Sequence, residues 1–152
     1  MMGKLFDQLV GFYEKAEWPM GQVPNEAIIS TQYSGDNGQW VFVVSCDEEL
    51  GTIVMFSRGP LECPPDKLGL LIEFFARVNF GMSVGAWVVD FSDGEIRFRV
   101  GLDAKVIDVS DAQLQRMTMY TVMTMDHYLP GLMALLNGEA DVGQAYDLVF
   151  NR

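Results

Sequence analysis

The stretch "AWVVDFSDGEIRFRVGLD", Ala86 to Asp103, constrains the fold more than any other part of the chain. Apolar residues alternate on both sides of Asp93-Gly94, a dipeptide that supplies the positive φ angles of a type I′ turn. With a two-residue turn, Ser92 faces Glu95, Phe91 faces Ile96, Val89 faces Phe98 and Trp87 faces Val100. Six large apolar residues then share one face. Asp90 stands opposite Arg97 on the other, a favourable cross-strand pair. A slip of one residue scatters the apolar set over both faces, so the register is tightly specified. Arg97 and Arg99 project outward, and alternating arginines on an exposed sheet face are more often solvated than bound to an anion.

Patterning extends this hairpin into a two-layer α+β domain covering residues 1–152. Leu5, Phe6, Leu9, Val10 and Phe12 predict a helix over 3–16, and "EWPMGQVPN" breaks it. Three strands follow, over 27–33, 40–46 and 52–57. Asn37-Gly38 marks the first turn, and "WVFVVSC" is apolar enough to be covered on both faces. "RGPLECPP" reads as a loop. Asp66 is placed to cap a helix to about Phe80, with Leu68, Leu71, Ile72, Phe75 and Val78 as its stripe and Leu70 and Phe74 widening it. After the hairpin, Ser110 caps a helix from Asp111 to about Leu129. Pro130-Gly131 interrupts it, "LMALLNG" forms a short second piece ending at Gly138, and "DVGQAYDLVF" adds a weak last helix. The expected order is α-β-β-β-α-β-β-α, with about five antiparallel strands packed against helices.

Charge and motif content narrow the function. A net charge of −11 and the absence of a basic run oppose nucleic acid and anionic membrane as partners. No apolar run is long enough for a transmembrane helix, and the first eighteen residues lack a signal-peptide core, so a cytoplasmic protein is expected. Cys46 and Cys63 stand outside any CxxC spacing and are expected reduced. No metal-ligand spacing, phosphate-binding glycine loop or nucleophile elbow occurs, so neither cofactor nor metal is expected. His127, beside Asp126, reads as an ordinary helical residue, and Cys46, Asp47, Glu48 and Glu49 as a solvated turn.

"QLQRMTMYTVMTM" is the unusual segment. On a helix, Leu114, Met117, Thr121, Met125 and Tyr128 line one face, while Met119, Tyr120 and Met123 line a nearly opposite one. A helix apolar on two sides has to be covered on two sides. Methionine suits both cores and adaptable binding surfaces, so Met119, Tyr120 and Met123 are candidates for a partner or dimer face. Phe75, Trp87 and Phe98 are candidates to line an apolar pocket between helix and sheet.

The segment "LLIEFFARVNFGMSVGAWVVDFSDGEIRFRVGLD", in this element order, resembles the YbjN family. The telling part is an asparagine ending a helix, a short strand, an acidic-Gly turn and an R-x-R strand. The resemblance is closest from about Asp66 to about Leu136. It implies a fold like that of type III secretion chaperones, a dimer, no enzyme activity and a sensory or regulatory role. The expected function is a non-enzymatic module that binds a protein partner through an apolar helix or sheet face. A small-molecule sensor is the alternative.

Overall fold

The computed structural model describes residues 3–150. In chain order the elements are α1 (Lys4–Lys15), β1 (Gly21–Gln22), β2 (Ile28–Ser34), β3 (Gln39–Asp47), β4 (Thr52–Glu62), a 3-10 turn (Pro65–Lys67), α2 (Leu68–Phe80), β5 (Ala86–Val89), β6 (Glu95–Asp103), α3 (Asp111–Leu136) and α4 (Val142–Phe150). The strands form one antiparallel sheet in the order β1-β2-β3-β4-β6-β5. Its sixth strand is the short β1, inside the segment read as a break. No described helix is long and apolar enough to cross a membrane.

The helices cover one face of the sheet. That face carries Ile29, Trp40, Phe42, Val44, Ile53, Met55, Trp87, Ile96, Phe98 and Val100, all buried. A buried polar network ties α1 and α3 to it. Tyr13 and Thr118 hydroxyls lie 2.7 Å apart, the Trp40 indole N–H donates to Ser57 Oγ at 3.0 Å, and Ser57 donates to the Thr121 carbonyl at 2.9 Å. These buried polar groups therefore have partners, which is what keeps their burial affordable. Among the described residues no helix covers the other face. Val41 and Val43, expected to be covered on both sides, stay half-exposed there.

Several local expectations change. β4 runs on through Arg58 to Glu62, with a register irregularity that accommodates Pro60. Lys67, not Asp66, precedes α2, and Asp66 lies in the 3-10 turn. Leu71, Phe74, Phe75 and Val78 of α2 are buried, but Leu70 and Ile72 are exposed, so the helix is covered on one side only. The hairpin is registered two residues differently, with Val89 opposite Ile96, Trp87 opposite Phe98 and Val88 opposite Arg97. A shift of two keeps every side chain on its face. The cause is a longer turn. Asp90 accepts from Ser92, and Asp93 from the Glu95 N–H. Gly94, at φ 81°, packs so closely on Cys63 that a Cβ would meet its carbonyl oxygen at 2.3 Å. Phe91 is thereby turned out to solvent.

Helix α3 passes straight through Pro130. Proline has no N–H for the carbonyl of Asp126, four residues back. The Asn37 side-chain amide donates to that carbonyl instead, at 3.0 Å. The Asp126 carboxylate accepts in turn from the backbone N–H groups of Asp36 and Asn37. The β2–β3 turn thus fills the gap that the proline opens. Gly131 then lets α4 approach, since a Cβ there would sit 2.8 Å from Val149.

The asparagine ending α2 closes a sheet edge. Asn79 Nδ2 donates to the Trp87 carbonyl at 3.0 Å, and the Trp87 N–H donates to Asn79 Oδ1 at 2.8 Å. Edge strands left open invite pairing with other chains. Asn79→Ala is expected to cost about 1–3 kcal/mol of stability, read as a lower urea midpoint with an unchanged slope.

Candidate functional site

The outer face of α3 forms the floor of an apolar groove of about 500 Å³, lined by Arg116, Met119, Tyr120, Met123, Thr124, His127 and Tyr128. A smaller cavity of about 200 Å³ shares Tyr120, Thr124 and Tyr128 with it, and adds Val78, Met82 and Phe150. All three residues picked from the methionine-rich segment therefore line one groove. Met119 and Tyr120 are half-buried, and Met123 is 60% exposed. Their inward counterparts Leu114, Met117, Thr121, Met125 and Tyr128 are buried. The helix is apolar on both sides, and the fold covers the outer one only in part: Met119 and Tyr120 pack against the core, with Tyr120 6.1 Å from the Phe98 ring, while Met123 stays exposed.

Arg116, Thr124 and His127 follow Tyr120 and Met123 at helical spacing, so periodicity alone places them in the same stripe. Met82 and Phe150 come from distant segments and carry no such signal. His127 Nε2 donates to the Val149 carbonyl at 2.6 Å, which ties α3 to α4. Glu48 also does more than solvate a turn. Its carboxylate accepts from the Leu5 and Phe6 N–H groups at 3.1 and 2.8 Å, supplying the N-terminal cap that Gly3 lacks.

Phe75, Trp87 and Phe98 are brought together, as expected, but they fill the space between them. Trp87 stacks on Phe75 with centroids 5.6 Å apart and lies 5.2 Å from Phe98. All three are buried, and Tyr128 covers the cluster at 5.1 Å from Trp87. Among the described residues the buried Trp87 indole N–H has no acceptor.

Both thiols and the Tyr128 phenol hold their protons more tightly than usual. Burial, reinforced by the neighbouring Glu48 carboxylate, pushes the Cys46 thiol up from 9.0 to about 11. Burial and then Asp66 also raise Cys63. A nucleophilic cysteine needs the opposite shift. Burial, followed by Tyr120 and Tyr146, pushes Tyr128 up to about 12. Among the described residues no cluster of His, Cys, Asp and Glu is arranged to hold a metal.

No protein-family model and no curated protein matches the sequence. Solved structures do match the fold. A chain of the ExsC–ExsE complex superposes with a TM-score of 0.62 at 11% identity, over 83% of this chain and 91% of that one. YbjN from E. coli gives 0.62 at 11% identity, over 80% and 87%. The Yersinia pestis type III secretion chaperone SycH, in complex with a fragment of YscM2, gives 0.54 at 15% identity, over 80% and 97%. The chain therefore has a YbjN-like, type III secretion chaperone-like fold.

The raised thiol and phenols set an alkaline limit. Below pH 9 the thiol is protonated in both folded and unfolded chains, and stability does not depend on it. Above pH 9 the unfolded chain releases a proton that the folded chain keeps, so stability falls as pH rises toward 11, with Tyr128 adding a loss between 10 and 12. Urea midpoints are expected to decline from pH 9 upward, and Cys46→Ser to make that decline shallower while Cys63, also raised, keeps its onset near pH 9.

Proposed function

We propose that this chain is a non-enzymatic, chaperone-like interaction module that binds a protein partner in the α3 groove. The observation that carries the reading is the second apolar face of α3, with Met123 left 60% exposed. A groove of methionine and tyrosine side chains accepts the apolar face of an amphipathic helix, and flexible methionines adapt to it. Arg116 and His127 at the rim are the groove's only basic side chains, and no carboxylate lines it. The ExsC and SycH structures, which are complexes with other proteins, support the reading by analogy of fold. The module is a single domain over residues 1–152, it acts in the cytoplasm, and its role is regulatory.

A second reading, a small-molecule sensor, is favoured by one observation. The buried Trp87 N–H lacks an acceptor, and an unsatisfied donor of that kind costs about 1–3 kcal/mol. A ligand carrying an oxygen acceptor relieves that cost only by parting the rings of Phe75, Trp87 and Phe98. Quenching or a shift of tryptophan emission on adding a metabolite, absent in Trp87→Phe, supports this reading over the first.

The partner reading is tested at Met119 and Met123. The Met119→Glu/Met123→Glu variant is expected to keep its circular dichroism and lie within about 1 kcal/mol of wild-type stability, as exposed-face changes do. It is expected to lose the specific protein that tagged wild type retains from source-organism lysate. Unfolding of the variant, or retention of the same protein, contradicts the assignment.

A further inference from the structure

The polar groups of the α3 groove are of one kind. From Ala112 to Met125 the helix carries a single charged residue, Arg116, in a chain whose net charge is −11. Arg116 is exposed and, among the described residues, makes no ion pair or hydrogen bond. His127, the other basic side chain, is held by the Val149 carbonyl. The carboxylates that flank this stretch are engaged elsewhere. Asp111 pairs with Lys15, and Asp126 takes the N–H groups of the β2–β3 turn. No carboxylate lines the groove or the smaller cavity beside it.

That cavity adds hydroxyls. Ser83, Tyr120, Thr124 and Tyr128 line it, and among the described residues none of their hydroxyls is hydrogen-bonded. On the inner side of the same helix, Thr118 and Thr121 do donate to carbonyls four residues back, each at 2.7 Å. Burial, followed by Tyr120 and Tyr146, pushes the Tyr128 phenol up to about 12, so it stays a donor at neutral pH. The apolar stripe thus carries a free guanidinium at one point and unpaired hydroxyls at another. Arg116 and Thr124 stand eight residues apart, about 12 Å along the helix axis.

We infer that the groove takes an acidic amphipathic helix, with two carboxylates seven or eight positions apart on the same face as its apolar residues. This rests on the groove being the partner site. One carboxylate meets Arg116, and the other accepts from the hydroxyls around Thr124. Apolar residues between them, three and four positions after the first carboxylate, lie on Met119, Tyr120 and Met123. A carboxylate accepts hydrogen bonds and donates none, and the lining offers donors with no carboxylate to compete for them. A basic helix finds no anion in the groove and sets its charge against Arg116. The net charge of −11 acts the other way, drawing basic segments and repelling acidic ones. Salt screens that long-range field over about 8 Å, but it screens contacts inside a groove much less. Selection is therefore set by the groove's own residues, against the field of the whole molecule.

Fluorescence anisotropy with three labelled helical peptides tests this on the full chain. The peptides share leucines at i+3 and i+4 and differ only at i and i+7, where each carries Glu, Gln or Lys. At physiological salt the Glu peptide is expected to bind about tenfold tighter than the Gln peptide, and the Lys peptide more weakly than both. Arg116→Glu, with unchanged circular dichroism, is expected to remove the advantage of Glu and to strengthen binding of the Lys peptide. A Glu peptide that binds no tighter than the Gln or Lys peptide, or a Glu advantage that survives Arg116→Glu, overturns the acidic assignment and leaves the groove as the partner site. Binding of the Gln peptide that survives Met119→Glu/Met123→Glu, or no binding by any peptide, removes the groove as the partner site and the acidic helix with it.

Discussion

The carbonyl of Asp126, left without a donor by Pro130, is the point on which the rest of the structure hangs. Asn37 takes it, and the Asp126 carboxylate takes two N–H groups of the same turn. The turn joining β2 and β3 is thereby fastened to the middle of a 26-residue helix. A proline inside a helix usually costs about 3 kcal/mol or more. Here the missing hydrogen bond is replaced by one that orients α3 on the sheet. Thr118 and Thr121 then meet Tyr13 and Ser57, the inner stripe of α3 is buried, and its outer stripe is necessarily turned away. The groove is a consequence of how the helix is pinned.

The two-layer architecture leaves two different faces exposed. Helices cover one face of the sheet, and among the described residues nothing covers the other. One sheet edge is closed by Asn79, which takes both outward backbone groups of Trp87. What remains are two apolar areas of different character. The α3 groove is lined by flexible methionines and aromatic rings, suited to a partner of variable shape. The open sheet face carries Val43, Val54 and Phe56 between charged residues at its two ends.

Much of this was legible in the sequence, because periodicity reports faces reliably. The two stripes of α3 were readable from spacing, and so were the faces of the hairpin strands and the α-β-β-β-α-β-β-α order, except for the short β1 and the separate α4. What escaped was set by contacts between distant residues. Pro130 reads as a break because the donor that takes the Asp126 carbonyl lies 89 residues from it in sequence, in Asn37. The hairpin register moved by two because Gly94 packs on Cys63 rather than serving as half of a tight turn. Glu48 reads as a solvating charge because the helix it caps begins more than forty residues earlier. Phe75, Trp87 and Phe98 were correctly grouped, but volume decides whether rings line a space or fill it.

The central claim is that the outer face of α3 is held ready for a protein partner. Photo-crosslinking from that face tests it most directly, with a benzophenone side chain at Met123 and, as a reference, at Phe91, which is also exposed but lies in the β5–β6 turn. In cells of the source organism, the account expects one discrete protein adduct from position 123 that is absent from position 91. No adduct from 123, or the same ladder of adducts from both positions, contradicts it.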